Sequence, residues 1–248
     1  MTLFISIAIA IGGTVIVGIA LREIFRSLNP ALLSGYRPCK GGWWEAELNN
    51  CSLGLKKLPQ QPVNTYTNVA YVTGGLFLMF TLNTLPTYVL SLTLLYLCAG
   101  SALYHATSTR WAGSLDASAM YALFSALTAY AAFRFLGLTD ALAAFLMILV
   151  ATLAGYFLRY KYRGNMSLKI GVFLVLTYAF LIWNMLRSQQ SLLNAYLIGS
   201  FALFAVAYLI WNLDKARSFP LRRWGHGLWH VLTAAAIAML YYVTHQTL

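Results

Sequence analysis

Eight separate runs of about 20 apolar residues, each the length needed to cross a hydrocarbon core, divide this 248-residue chain. They extend from Leu3 to Leu21, Asn64 to Leu82, Thr87 to Tyr104, Leu115 to Phe135, Thr139 to Leu158, Leu168 to Leu186, Leu192 to Trp211 and Trp224 to Val243. Within a bilayer every backbone N–H and C=O must be satisfied inside the protein, so spanning segments are helices or the strands of a closed barrel. Barrel strands run to about ten residues and alternate polar with apolar. These runs are longer and do not alternate, so the expected fold is all-α: a polytopic bundle with a seven-helix core plus one extra N-terminal transmembrane helix. A composition of 60% hydrophobic and 9% charged residues fits a lipid-embedded chain rather than a soluble globule.

Three regions are expected. Residues 1–21 form the extra helix, 22–63 a basic connecting loop, and 64–248 the seven-helix body. The loop holds Pro30, Pro38, Pro59, Pro62 and the pair Gly41-Gly42, residues that interrupt periodic structure. The first run lacks a basic segment before it and exceeds the apolar stretch of a signal peptide, so it reads as a retained helix. Cys39 and Cys51 share the loop and could pair in an oxidising compartment, whereas Cys98 reads as a small core residue.

A net charge of +11 raises the question of nucleic acid. The cations are scattered between spans with no aromatic-basic recognition motif, so nucleic acid is not an expected partner. Topology accounts for them instead: fifteen of the seventeen Lys and Arg fall on one side of the eight crossings, leaving Arg134 and Arg187 on the other. The bias of cytoplasmic loops towards Lys and Arg puts that side in the cytoplasm and both termini opposite.

Three of the four histidines, His105, His226 and His230, sit where spans meet that basic side, and Asp116 is the acid read as bordering a span beside them. Titratable groups at membrane depth are costly and point to function. His226 and His230 are four apart, so a helix projects both imidazoles from one face, the spacing that lets two nitrogens share a metal. Ser101 and His105 repeat the interval. Three neutral imidazoles would leave zinc its full charge and an open fourth position for water, whose pKa falls towards about 7. The segment His226-Gly227-Leu228-Trp229-His230 carries no glutamate to act as its own base, which leaves Asp116 as proton acceptor and Ser101 to hold the water or donate to a developing oxyanion. Plainer readings stand beside these: Asp116 as a helix cap, Ser101 bonded to its own helix backbone, the paired histidines holding a structural metal or a haem. His245 reads as a solvated tail residue.

The blocks Gln61-Pro62-Val63-Asn64-Thr65-Tyr66-Thr67-Asn68, Ser101-Ala102-Leu103-Tyr104-His105 with Asp116 eleven residues on, and His226-Gly227-Leu228-Trp229-His230 resemble the CREST superfamily of seven-helix membrane hydrolases, and within it the alkaline ceramidases of the bacterial type. The resemblance implies that His105, His226 and His230 bind zinc, that Ser101 and Asp116 assist the attacking water, and that ceramide is cleaved to sphingoid base and fatty acid. The eukaryotic calcium-site pattern is not carried over: Ser52 follows Cys51, Gln61 stands where a glutamate falls, and Glu45 and Glu47 do not restore the spacing, which argues against calcium. A lipid substrate entering from the bilayer also suits a site among membrane helices. The alternative expectation is a receptor-like or signalling protein, similar to the adiponectin and progestin receptors, with a mainly structural zinc. A proton-relaying transporter is the weakest reading, since broken helices and paired half-repeats are not evident. Loop charge places the site near the cytoplasmic face, and the bacterial-type resemblance implies a bacterial inner membrane, while resemblance to eukaryotic members would give a lumenal site in an ER or Golgi membrane.

Overall fold

A computed structural model describes residues 3–29, 58–161, 166–188, 191–216 and 224–247. Most of the 22–63 connection, with Trp43, Trp44, Glu45, Glu47, Cys39 and Cys51, lies outside them, as do Arg217, Arg222 and Arg223. The described residues are helical throughout: α1 (Leu3–Ser27), α2 (Pro62–Thr67), α3 (Val69–Leu82), α4 (Leu85–Thr107), α5 (Arg110–Phe135), α6 (Asp140–Tyr156), α7 (Met166–Ser188), α8 (Ser191–Lys215) and α9 (Gly225–Thr247). A π-helical turn, Phe157–Lys161, extends α6.

Every expected span falls on helix, with instructive differences. Five described helical stretches are long and apolar enough to cross a membrane by themselves: Leu3–Ser27, Leu85–Thr107, Asp140–Arg159, Asn194–Asp214 and Gly225–Gln246. The expected span from Asn64 is broken at Asn68 into α2 and α3; at about 1.5 Å per residue the two together still reach about 30 Å. In α7 the apolar portion is the shorter Leu168–Trp183. α5 is less apolar because it is the central helix, packed by α4, α6, α7 and α9. Its buried positions include Ala117, Ala119, Ala122, Ala126 and Ala129, small residues that let helix backbones approach closely where lipid supplies no hydrophobic drive.

Polar side chains tie the bundle together. Tyr71 of α3 bonds Thr233 of α9 at 2.8 Å, Thr87 of α4 bonds Tyr241 of α9 at 2.9 Å, and Thr128 of α5 bonds Thr177 of α7 at 2.9 Å. α1 belongs to the same assembly. Its Thr14 bonds Thr73 of α3 at 2.7 Å, and Phe25 is buried with Leu58 and Ala106. Cys98 is buried in the core, as expected.

His245 departs from expectation. It lies within α9 and is half-buried, and the Tyr130 hydroxyl bonds its Nδ1 at 2.9 Å. α9 stays helical to Thr247, which keeps His245 against α5 instead of in solvent. It is fifteen residues from His230, about 22 Å along a helix, and has no part in the site below.

Candidate metal centre

The exit of α4 is fixed by the chain that precedes α2. Ser108 ends α4 in the left-handed conformation, its N–H bonding the Tyr104 carbonyl, a common helix stop. The N–H groups of Gln60 and Gln61 then bond the carbonyls of Ala106 and His105 at 3.0 and 3.1 Å, satisfying acceptors that a helix leaves without partners at its C-terminus. Gln61 is thereby pinned beside the His105 ring, and its Oε1 lies 2.5 Å from His105 Nδ1. Asn64 Nδ2 donates to the same oxygen at 3.3 Å. With that oxygen as acceptor, His105 Nδ1 carries the proton and Nε2 keeps a lone pair.

His230 is oriented the same way. Its Nδ1 is 2.9 Å from the Thr67 hydroxyl, which itself donates to the Val63 carbonyl at 2.8 Å. With the hydroxyl proton committed to Val63, the imidazole donates at Nδ1 and again keeps Nε2 open. The glycine between the two α9 histidines makes this contact possible: a Cβ on Gly227 would fall 2.9 Å from Val63 Cγ1 and 3.1 Å from Thr67 Cγ2. A larger residue there would crowd the Val63 and Thr67 side chains, and with them the Thr67 contact to His230.

The three rings converge. Their centroids are 4.7 Å apart for His105 and His226, 4.6 Å for His226 and His230, and 5.4 Å for His105 and His230. One nitrogen from each lies within 4.8 Å of the others, and Nε2 of His226 is 3.1 Å from Nε2 of His105. Two nitrogens bound tetrahedrally at 2.0 to 2.1 Å from zinc would be about 3.3 Å apart, so the His105–His226 pair has the spacing of two ligands on one ion, and His230 lies close enough to join them. His105 and His230 are each 2% exposed, and His226 is partly exposed, which leaves the cluster one less-covered side.

Ser101 lies one turn before His105 on α4 and is buried. Asp116 lies within α5, not at its start. α5 begins at Arg110 and is capped by Thr109, whose side chain accepts from the Ala112 N–H, so the helix-cap reading of Asp116 does not hold. α4 and α5 touch at this level: a Cβ on Gly100, the residue before Ser101, would meet the Asp116 N and Cα at 3.1 and 3.2 Å. Asp116 is also within electrostatic reach of the Tyr71 phenol, whose ring centroid lies 6.0 Å from that of His230.

The profile of the ceramidase family matches residues 61–248, three-quarters of the chain and the whole of the body that carries these groups. The chain belongs to the ceramidase family. No curated protein matches its sequence significantly. Family membership and the apolar helices make it an integral membrane protein whose family acts on amide bonds, and its three convergent histidines form a group able to hold a metal ion.

Sequence reasoning missed the partners of the rings. Gln61 and Thr67 stood inside a block quoted for its resemblance, and their readable sign was polar residues recurring at Gln60, Gln61, Asn64, Thr65 and Asn68, all buried in the structure. Because such partners fix ring orientation, Gln61→Leu is expected to weaken the binding of a metal ion by the histidine group about 10- to 100-fold. Chelator competition on purified protein would measure it, and unchanged affinity would remove Gln61 from the centre.

Proposed function

We propose that the chain is a zinc-dependent membrane amidohydrolase that cleaves the N-acyl bond of ceramide or a related lipid, releasing sphingoid base and fatty acid. One observation carries the reading: histidines from α4 and α9, far apart in sequence, bring one nitrogen each within 4.8 Å of one another, with the His105 and His226 Nε2 atoms 3.1 Å apart, inside the family-matched body. His105, His226 and His230 would hold zinc, which supplies Lewis acidity and a water ionised near neutral pH. Water oxygen adds to the acyl carbon, the C–N bond breaks, and the nitrogen departs with a proton. Asp116 takes a proton from the attacking water and returns one to the leaving nitrogen. Ser101 donates a hydrogen bond to the oxygen on which charge develops.

The surroundings suit a lipid with a polar head. A lateral cavity of about 500 Å³ lies beside α2, α3 and α9, lined by Pro62, Val63, Tyr66, Thr67, Ala70 and Trp224 among others, and Thr67 joins it to His230. Among the described residues, Gln60 Nε2, Gln61 Nε2 and Thr65 Oγ1 are buried with no hydrogen-bond partner, so this end of the bundle keeps polar capacity to spare. The Lys and Arg bias of the loops favours a site on the cytoplasmic side of the membrane, which on the bacterial-type resemblance is a bacterial inner membrane, with residues 64–248 as the hydrolase body and 22–63 linking it to the first helix.

The test is hydrolysis by purified full-length protein. N-acylsphingosine in mixed micelles should release fatty acid in proportion to bound zinc, stop when a chelator strips the metal, and resume on zinc addition. Zinc-loaded protein that releases fatty acid from no N-acyl lipid would overturn the assignment.

A further inference from the structure

Asp214 is a buried acid that the chemistry above leaves unused. It is the penultimate residue of α8 and 1% exposed, in a chain with six acids in all. A carboxylate near the C-terminus of its own helix sits at the negative end of that helix's dipole, and burying it there is costly without compensation. The next helix lies directly against it. A Cβ on Gly225, the first residue of α9, would fall 2.5 Å from Asp214 Oδ1 and 2.7 Å from its Cβ and Cγ. The carboxylate therefore rests on the opening turn of α9, where the first N–H groups lack acceptors within the helix and the dipole is positive. That turn carries the metal ligands. His226 directly follows Gly225, and His230 lies one turn on. Deeper along the same two helices, Trp211 and Trp229 pack with centroids 5.4 Å apart, a contact that holds α8 and α9 together without fixing the first turn of α9.

We propose that Asp214 is a positioning residue for the metal centre, its buried carboxylate seating the first turn of α9 on the end of α8 so that His226 and His230 converge on His105. The inference rests on the zinc reading above. It also assigns Gly225 a cause: the carboxylate occupies the space a side chain would need.

The experiment uses the purified full chain with zinc or cobalt(II) as the only added ligand. Zinc affinity is read by chelator competition, ligand geometry by the visible absorption of bound cobalt(II), and folding by helicity and thermal midpoint. Asp214→Asn keeps the side chain's shape, and Gly225→Ala forces the carboxylate away with Asp214 intact, so the second serves if the first does not fold. Both are expected to bind zinc about 10- to 100-fold more weakly than wild type and to alter the cobalt spectrum. The double variant should lose little more than either single one, because both break one contact. Thr139→Ala, which removes the cap that bonds the Leu142 N–H of α6, should lower the thermal midpoint and leave both metal readouts at wild-type values. Folded Asp214→Asn and Gly225→Ala proteins with wild-type affinity and spectrum would overturn the inference and leave the zinc assignment standing. A wild-type protein that binds neither metal would remove both.

Discussion

Under the proposed zinc chemistry, Asp116→Asn is expected to lower turnover about 100- to 10,000-fold, the range for losing a general acid-base group, while the protein keeps its fold and its bound metal. The substitution preserves volume and removes the carboxylate that can take up a proton. Asp116 sits in the second turn of α5 where that helix touches α4 beside Ser101, and it has no capping duty whose loss would confuse the result. Steady-state kinetics with parallel metal analysis would measure both halves of the expectation. Full activity with zinc retained would take proton transfer away from Asp116. Zinc bound with no turnover in wild type and variant alike would leave the metal a structural role and favour a receptor-like protein.

The second large effect is expected at His230. On the proposed ligand assignment, removing His230 outright should cost more than the about 100-fold affinity loss of an outer partner, so His230→Ala should abolish zinc retention through purification and turnover with it. The ring is 2% exposed and bonded to Thr67, so truncation also leaves a hole. His230→Gln serves as the companion, since it restores bulk and polarity at that position. Both variants should lose the metal, and the glutamine variant should keep the helicity and thermal midpoint of metal-free wild type. Retained zinc and activity in either variant would show that His230 is no ligand.

Much of this architecture could be read from the chain. Apolar run length alone predicted the helices, because a bilayer admits few other solutions, and the four-residue interval between His226 and His230 predicted two rings on one face of α9. The convergence of His105 upon them was legible only as shared sidedness, since sequence gives the membrane face and not the distance. Other features depended on tertiary packing. The break at Asn68 lies in a polar-studded segment whose buried side chains bond the exit of α4 and the start of α9. Asp116 read equally well as a cap because the apolar run begins at Leu115, whereas the helix itself starts five residues earlier under the Thr109 cap. His245 read as a tail residue because nothing in sequence announces the Tyr130 hydroxyl beside it. Asp214 escaped notice because its apolar run ends at Trp211, while α8 continues to Lys215 and carries the acid into the buried contact with Gly225.

Everything proposed for the chemistry depends on three imidazoles sharing one ion. X-ray absorption at the zinc edge of the purified wild-type protein tests this directly, since it counts the nitrogen neighbours of the metal and gives their distances. One zinc per chain with three histidine nitrogens at about 2.0 to 2.1 Å and a further oxygen is the predicted result. Protein that carries no zinc, or zinc ringed by sulfur or by oxygen alone, would contradict it.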